Sequence, residues 1–171
     1  MIKYKYIKRK ELIKVLDYNK LENYKEDNRI EAKQAIGGLP QSIWESYSAF
    51  ANTLGGIILL GVEELKDKSL HAVDDISAPE KLITEFWDII NDKEQVSANI
   101  LSDNDVQIRY ADGKRIIVIT VPVADKKDRP VYIGKDVYQG TYIRCGEGDI
   151  RCTSQQVHKM IEEIKNGEYL W

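Results

Sequence analysis

Apolar residues in this chain recur at two spacings, three-and-four-residue steps that predict helices and compact or alternating runs that predict strands. Ile43, Tyr47, Phe50 and Leu54 fall on one helical face, and Gly55-Gly56 stops that helix because glycine takes positive φ at little cost. The next run, Ile57-Ile58-Leu59-Leu60-Gly61-Val62, is apolar on both faces and too short for most helices. It predicts a central strand covered on both sides and ending at Glu63-Glu64. Ser77-Ala78-Pro79-Glu80 reads as a capping box with proline in the first turn, opening a helix whose apolar face is Leu82, Ile83, Phe86, Trp87, Ile89 and Ile90. Thr153 and Gln156 form a second capping box before Val157, Met160, Ile161 and Ile164, a helix that closes the domain near Asn166-Gly167. Strands are predicted over 106–110, 115–121 and 137–144, the first two joined by an Asp112-Gly113 hairpin turn. An extended segment over 29–34 leads into the turn Gly37-Gly38-Leu39-Pro40. At the amino end, Leu12, Ile13 and Leu16, with Ile7 and Leu21 less regularly placed, predict a short amphipathic helix around 8–18. The order is α+β, a mixed sheet with a buried central strand flanked by helices.

Composition narrows this to one soluble globular domain with a helical extension: 43% of the 171 residues are hydrophobic, 31% are charged, and no linker or repeat divides them. A domain of this length buries roughly 70% of the surface its unfolded chain exposes, so it needs no metal or disulfide to fold. No apolar run reaches the roughly 18 residues of a membrane span, and no apolar stretch follows the lysine-rich start as it does in a secretory signal. A cytoplasmic location is expected. Cys145 and Cys152 lack CxxC spacing and read as reduced thiols. Net charge is −3, but the first twenty residues carry +5 and the rest −8. Such a segment is either a solvated helix face or an arm that meets phosphate.

Several chemistries are unsupported. There is no GxxxxGK[ST] loop, and the Gly37-Gly38 and Gly55-Gly56 pairs lack the context of a dinucleotide fingerprint. His71 and His158 stand away from any nucleophile motif, and the steps between Cys145, Cys152 and His158 match no usual zinc pattern. The acidic residues offer more. Glu26, Glu31 and Lys33 precede the first core helix, and Glu63 and Glu64 follow the buried strand, where α/β sheets expose working groups. If the segment around Glu31 pairs beside that strand, Glu31 and one carboxylate of the Glu63-Glu64 pair converge, either to hold Mg²⁺ or Mn²⁺ through oxygen ligands or simply as solvated surface.

Three stretches carry a resemblance: Glu26-Asp-Asn-Arg-Ile-Glu31-Ala-Lys33; Ser48-Ala-Phe-Ala-Asn-Thr53-Leu-Gly-Gly56 running on to Val62-Glu-Glu64; and Arg129-Pro-Val-Tyr-Ile133 with Tyr142-Ile-Arg144-Cys-Gly146. Over roughly residues 24–162 the chain resembles the Schlafen/Alba-type DNA-binding domain family, with Ala-Phe-Ala-Asn-Thr-x-Gly-Gly the most specific element. Together with the helical extension read from charge and spacing, this divides the chain into a basic helical extension over 1–23, a nucleic-acid-binding domain over 24–166, as the resemblance implies, and a tail over 167–171. In the family this domain often sits at the amino end of bacterial transcriptional regulators, with a winged-helix region further on. That region is not among the 171 residues, which implies a fragment or a stand-alone domain.

Animal members use the fold as a metal-dependent endoribonuclease with three acids. The resemblance places those acids at Glu26, Glu31 and Glu64, with Lys33 stabilising charge on the phosphate and Mg²⁺ or Mn²⁺ as the metal. Ala32 stands where the family has Phe, Glu63-Glu64 where it has Asp-Asp, and the glycine expected near His71-Ala72-Val73 is missing. For nucleic-acid binding, Arg29 and Lys33 flank the acids, and Arg144 and Arg151 bracket the turn between them. Guanidinium groups suit phosphate because they donate two parallel hydrogen bonds. For Arg144 the equal alternative is an internal salt bridge to Glu26 or Glu31. Asn52 and Thr53 are expected to cap or brace the Gly-Gly turn. Three functions result: a module that binds DNA or structured RNA, an acidic-triad endoribonuclease, or a protein-interaction domain, as a homodimer for instance, which the acidic bulk favours.

Overall fold

The computed structural model describes residues 3–7, 11–73 and 75–168. Its centre is a four-stranded sheet in the order β3-β4-β8-β7, formed by β3 (Ile30–Lys33), β4 (Gly56–Leu60), β7 (Val106–Ala111) and β8 (Lys114–Val121). β3 runs parallel to β4, with Glu31 opposite Ile58, and the other two pairings are antiparallel. The parallel pair needs a crossover, which α1 (Ile43–Asn52) supplies. Between β7 and β8, Asp112 and Gly113 both take positive φ, as a two-residue hairpin turn of this hand requires.

β4 is buried along its whole length, as expected of the central strand. Its residues alternate between two cores. Ile58 and Leu60 join Ile117, Ile119, Phe50, Tyr47 and the buried face of α2 (Pro79–Ile90), whereas Ile57 and Leu59 join Ile116, Val118, Leu16, Leu21 and Leu70. Each such side chain contributes about 1.5–3 kcal/mol by leaving water. Gly55 enters the strand with φ 69°, and a Cβ there would lie 2.7 Å from the Val121 carbonyl oxygen. Past Leu60, Gly61 turns the chain at φ 86° into β5 (Val62–Glu64), which leaves the main sheet and pairs with β6 (Leu70–Ala72). Glu63 and Glu64 therefore lie on a separate two-stranded ribbon and not at the end of the buried strand.

Other expectations are corrected as well. The helix predicted around 8–18 does not form. β1 (Lys3–Ile7) and β2 (Glu11–Val15) make an antiparallel hairpin, residues 8–10 lie outside the described residues, and a 3-10 turn over Tyr18–Asn23 follows, capped by Asp17. Three apolar residues at helical spacing are outweighed by β-branched and aromatic residues that favour strands. The capping box at Ser77 is absent because Pro79 opens α2 and so makes Ala78 the N-cap, one residue past the serine hydroxyl. The strand predicted over 137–144 is broken in two. Asp136 caps one helical turn, α3 (Val137–Gly140), through the Tyr138 amide, and only then does β9 (Tyr142–Cys145) begin, pairing with β10 (Gly148–Arg151). The second capping box is present: the Thr153 amide donates to Gln156 Oε1 at 2.8 Å and the Gln156 amide to Thr153 Oγ1 at 3.3 Å, opening α4 (Ser154–Glu168). Among the described residues no helix is long and apolar enough to cross a membrane.

Candidate functional site

The β9–β10 hairpin lies against α1, and the side chain of Arg144 passes from it to the segment before β3. With 1% of its side chain exposed, Arg144 is enclosed. Its Nη1 meets Glu31 Oε2 and Asp149 Oδ1, each at 2.8 Å. Its Nε and Nη2 donate to the Asp27 carbonyl at 3.2 and 2.9 Å, and Nη2 also reaches the Ile30 carbonyl at 3.2 Å. The guanidinium carbon stands 5.0 Å from the Phe50 ring centroid. Burial opposes the charge, but the Asp149 and Glu31 carboxylates overcome it, and the Arg144 pKa is raised. Of the two readings for this residue, the geometry is that of the internal salt bridge, formed with Glu31. A guanidinium so engaged is not presented to a phosphate.

Each of the three acids singled out from the sequence is also engaged within the fold. Glu31 Oε1 accepts from Lys33 Nζ at 3.1 Å, and its other oxygen holds Arg144. Glu26 Oε1 accepts the Ala32 amide at 3.1 Å, and the Glu26 amide donates to Glu64 Oε2 at 2.9 Å. Glu64 Oε1 pairs with Lys68 at 2.9 Å. Burial pushes the Glu26 carboxyl above its usual range, the charges on Glu31 and Glu64 push it further, and the Ala32 amide and Arg144 only partly offset them. Glu64 is held low: burial opposes ionisation there, but hydrogen bonds from Lys68 and the Glu26 amide outweigh it.

This arrangement does not fit a divalent cation. Mg²⁺ and Mn²⁺ need several oxygens free to point at one centre. Both oxygens of Glu31 face cations, and both oxygens of Glu64 accept hydrogen bonds. Among the described residues, no group of three or more His, Cys, Asp or Glu is placed to hold a metal ion.

The remaining cations divide. Lys33, 10% exposed, also donates to Ser42 Oγ at the foot of α1. Arg29 lies in the segment that Arg144 clamps through the Asp27 and Ile30 carbonyls. Arg151 is exposed on β10, its guanidinium 5.8 Å from the Tyr142 ring centroid and bonded to the Tyr142 hydroxyl at 3.3 Å. The charge of Glu45, one turn along α1 from Ser42, also acts on Arg151. Lys33 thus reaches the foot of α1, and β10, the strand that carries Arg151, packs against the same helix.

Two contributors are not evident in the linear sequence. Asp149 is paired with Arg144 in the β9–β10 register and also accepts from the buried Ser46 hydroxyl at 2.6 Å. The signal for it was the glycine turn, since Gly146 at positive φ closes a short hairpin that sets positions 144 and 149 opposite each other. Asn52, expected at the Gly-Gly turn, instead faces the later strands. It donates to the Val131 and Tyr142 carbonyls at 2.8 and 3.0 Å and accepts the Val131 amide at 2.8 Å. Thr53 Oγ1 accepts the Arg144 amide at 2.9 Å.

The central sheet is mixed and four-stranded, α1 packs against both it and the late hairpin, and the Arg144 side chain is enclosed beside them. The Schlafen, AlbA_2 family model matches residues 26–153, and the chain belongs to that family. No curated protein matches the chain. Among solved structures it is similar to the N-terminal domain of the "Putative ATP-dependent DNA Helicase RecG-related Protein" of Nitrosomonas europaea. The two are 28% identical with a TM-score of 0.56, over 80% of this chain and 90% of that one. It is also similar to the DIP2311 protein of Corynebacterium diphtheriae, 18% identical with a TM-score of 0.49 over 73% of this chain and 25% of that one.

Proposed function

We propose that the chain is a nucleic-acid-binding domain directed at DNA, serving a bacterial regulator. The observation that carries the reading is the shared fold with the amino-terminal domain of a protein named for DNA helicases, a likeness that spans nine-tenths of that domain. In this reading Arg29, Lys33 and Arg151 are the cations of the domain that meet phosphate. Arg144 acts indirectly, by holding the 27–30 segment and the β9–β10 hairpin in place.

The test is incubation of the full chain with labelled duplex DNA and with a folded tRNA, with Mn²⁺ or with chelator, scoring shift and cleavage together. A complex that weakens steeply with salt while the substrate stays intact supports the reading. No shift at low salt overturns it in favour of a protein-interaction domain. Metal-dependent cleavage overturns it in favour of the endoribonuclease, provided that Glu31→Gln and Glu64→Gln both abolish cleavage in protein that is still folded.

A further inference from the structure

The strongest concentration of positive charge in the chain lies outside the residues matched by the family model. Residues 1–15 contain Lys3, Lys5, Lys8, Arg9, Lys10 and Lys14 against Glu11 alone, a net +5, whereas the rest of the chain is −8. The structure gives this segment a particular form. β1 and β2 pair with each other as a two-stranded sheet of their own and are not strands of the central sheet. Immediately after β2, Leu16 and Leu21 are buried in the second core, so the base of the hairpin is moored to the domain.

We propose that this hairpin is a ribbon that enters the major groove of duplex DNA. The inference rests on the nucleic-acid reading above and names the element that makes the contact. The ribbon's charge selects a polyanion. Along β1 lysine and tyrosine alternate in the order Lys3-Tyr4-Lys5-Tyr6, and Lys14 on β2 is opposite Tyr4 in the register. Five residues per strand give a length of about 17 Å. A two-stranded ribbon fits the roughly 12 Å width of the B-form major groove, whereas the deep, narrow major groove of duplex RNA does not admit side chains.

The experiment uses the full chain, a fluorescent DNA duplex of about 25 base pairs and an RNA duplex of the same sequence, with anisotropy followed through a salt titration. Each phosphate contact contributes about 0.9 to the slope of log affinity against log salt. Replacing Lys3, Lys5 and Lys14 together by Gln is expected to lower the slope by about 2.7 and to weaken binding at 0.1 M salt at least about tenfold. Replacing the same three by Arg retains it, and circular dichroism of both variants matches the parent. The DNA duplex is expected to bind at least about tenfold tighter than the RNA duplex. If the parent binds DNA while the Gln variant keeps its affinity and slope, or if duplex RNA binds as tightly as DNA, the ribbon proposal is overturned and the nucleic-acid reading stands. If the parent binds neither duplex, both fall.

Discussion

Arg144 and Asp149 face each other across the turn of the β9–β10 hairpin, 2.8 Å apart, and the same arginine nitrogen meets Glu31 on β3 at 2.8 Å. One guanidinium therefore joins the last hairpin of the domain to the first strand of its central sheet. Arg144→Ala takes the guanidinium from Asp149, 11% exposed, and leaves Glu31, 13% exposed, with Lys33 alone. Breaking a buried pair in this way costs about 3–5 kcal/mol. Urea unfolding should show that loss in the midpoint with little change in slope. Arg144→Lys, which keeps the charge but not the fork to Asp27 and Ile30, should fall between Ala and the parent.

Asn52 donates to two carbonyls and accepts from one amide, a pattern that only an amide side chain satisfies. Asn52→Ala strands two buried backbone groups, the Val131 amide and the Tyr142 carbonyl, since the Val131 carbonyl keeps the Ser48 hydroxyl, and should cost at least about 2 kcal/mol. Asn52→Asp is expected to be worse, since a carboxylate would face the Val131 and Tyr142 carbonyls. Thermal melts of the two variants at neutral pH give the ranking, and an Asp variant as stable as the parent would refute it.

Glu26 is the acid whose ionisation the fold resists. Its pKa is raised, so its contribution is fully present below the unfolded glutamate value and is lost as pH rises through the folded one. Glu26→Gln keeps an acceptor for the Ala32 amide without the charge. The variant should melt above the parent at pH 7, with the difference vanishing below about pH 4. A variant that melts below the parent at pH 7 would contradict the assignment.

Asp75 behaves in the opposite sense. It takes a forked pair of bonds from Arg115 at the start of β8, Nε to Oδ1 at 3.0 Å and Nη2 to Oδ2 at 2.5 Å, and the Arg115 amide also donates to it. Those hydrogen bonds and the guanidinium charge hold its carboxyl down to about 2. Its stabilisation is present above about pH 4 and is lost as pH falls toward 2. Asp75→Asn should lower the melting temperature at pH 6 and converge with the parent in strong acid.

The central strand, both flanking helices and the β7–β8 hairpin were legible because each is written in local periodicity or in a glycine turn. The acids and Arg144 were legible as a group, and their pairing was not. Asp149 becomes the partner of Arg144 through a hairpin register, and Glu64 reaches the Glu26 amide only because Gly61 turns the chain away from the sheet. The amino-terminal hairpin was misread for a related reason. Leu12, Ile13 and Leu16 fit a helical face, while Tyr4, Tyr6, Ile7, Ile13 and Val15 fit strands, and sequence spacing alone does not weigh one against the other.

The bonds of Asn52 span 79 and 90 residues of chain, and those of Arg144 to the Asp27 carbonyl span 117. Contacts so distant in sequence form only after long loops have closed, which slows folding. On a ribosome, α1 emerges with its polar side chains long before residues 131 and 142 exist to meet them. The nascent domain must therefore carry an open seam along α1 until its last third has been made. That interval is when a chaperone or an early interaction partner has access to a surface that the finished protein conceals.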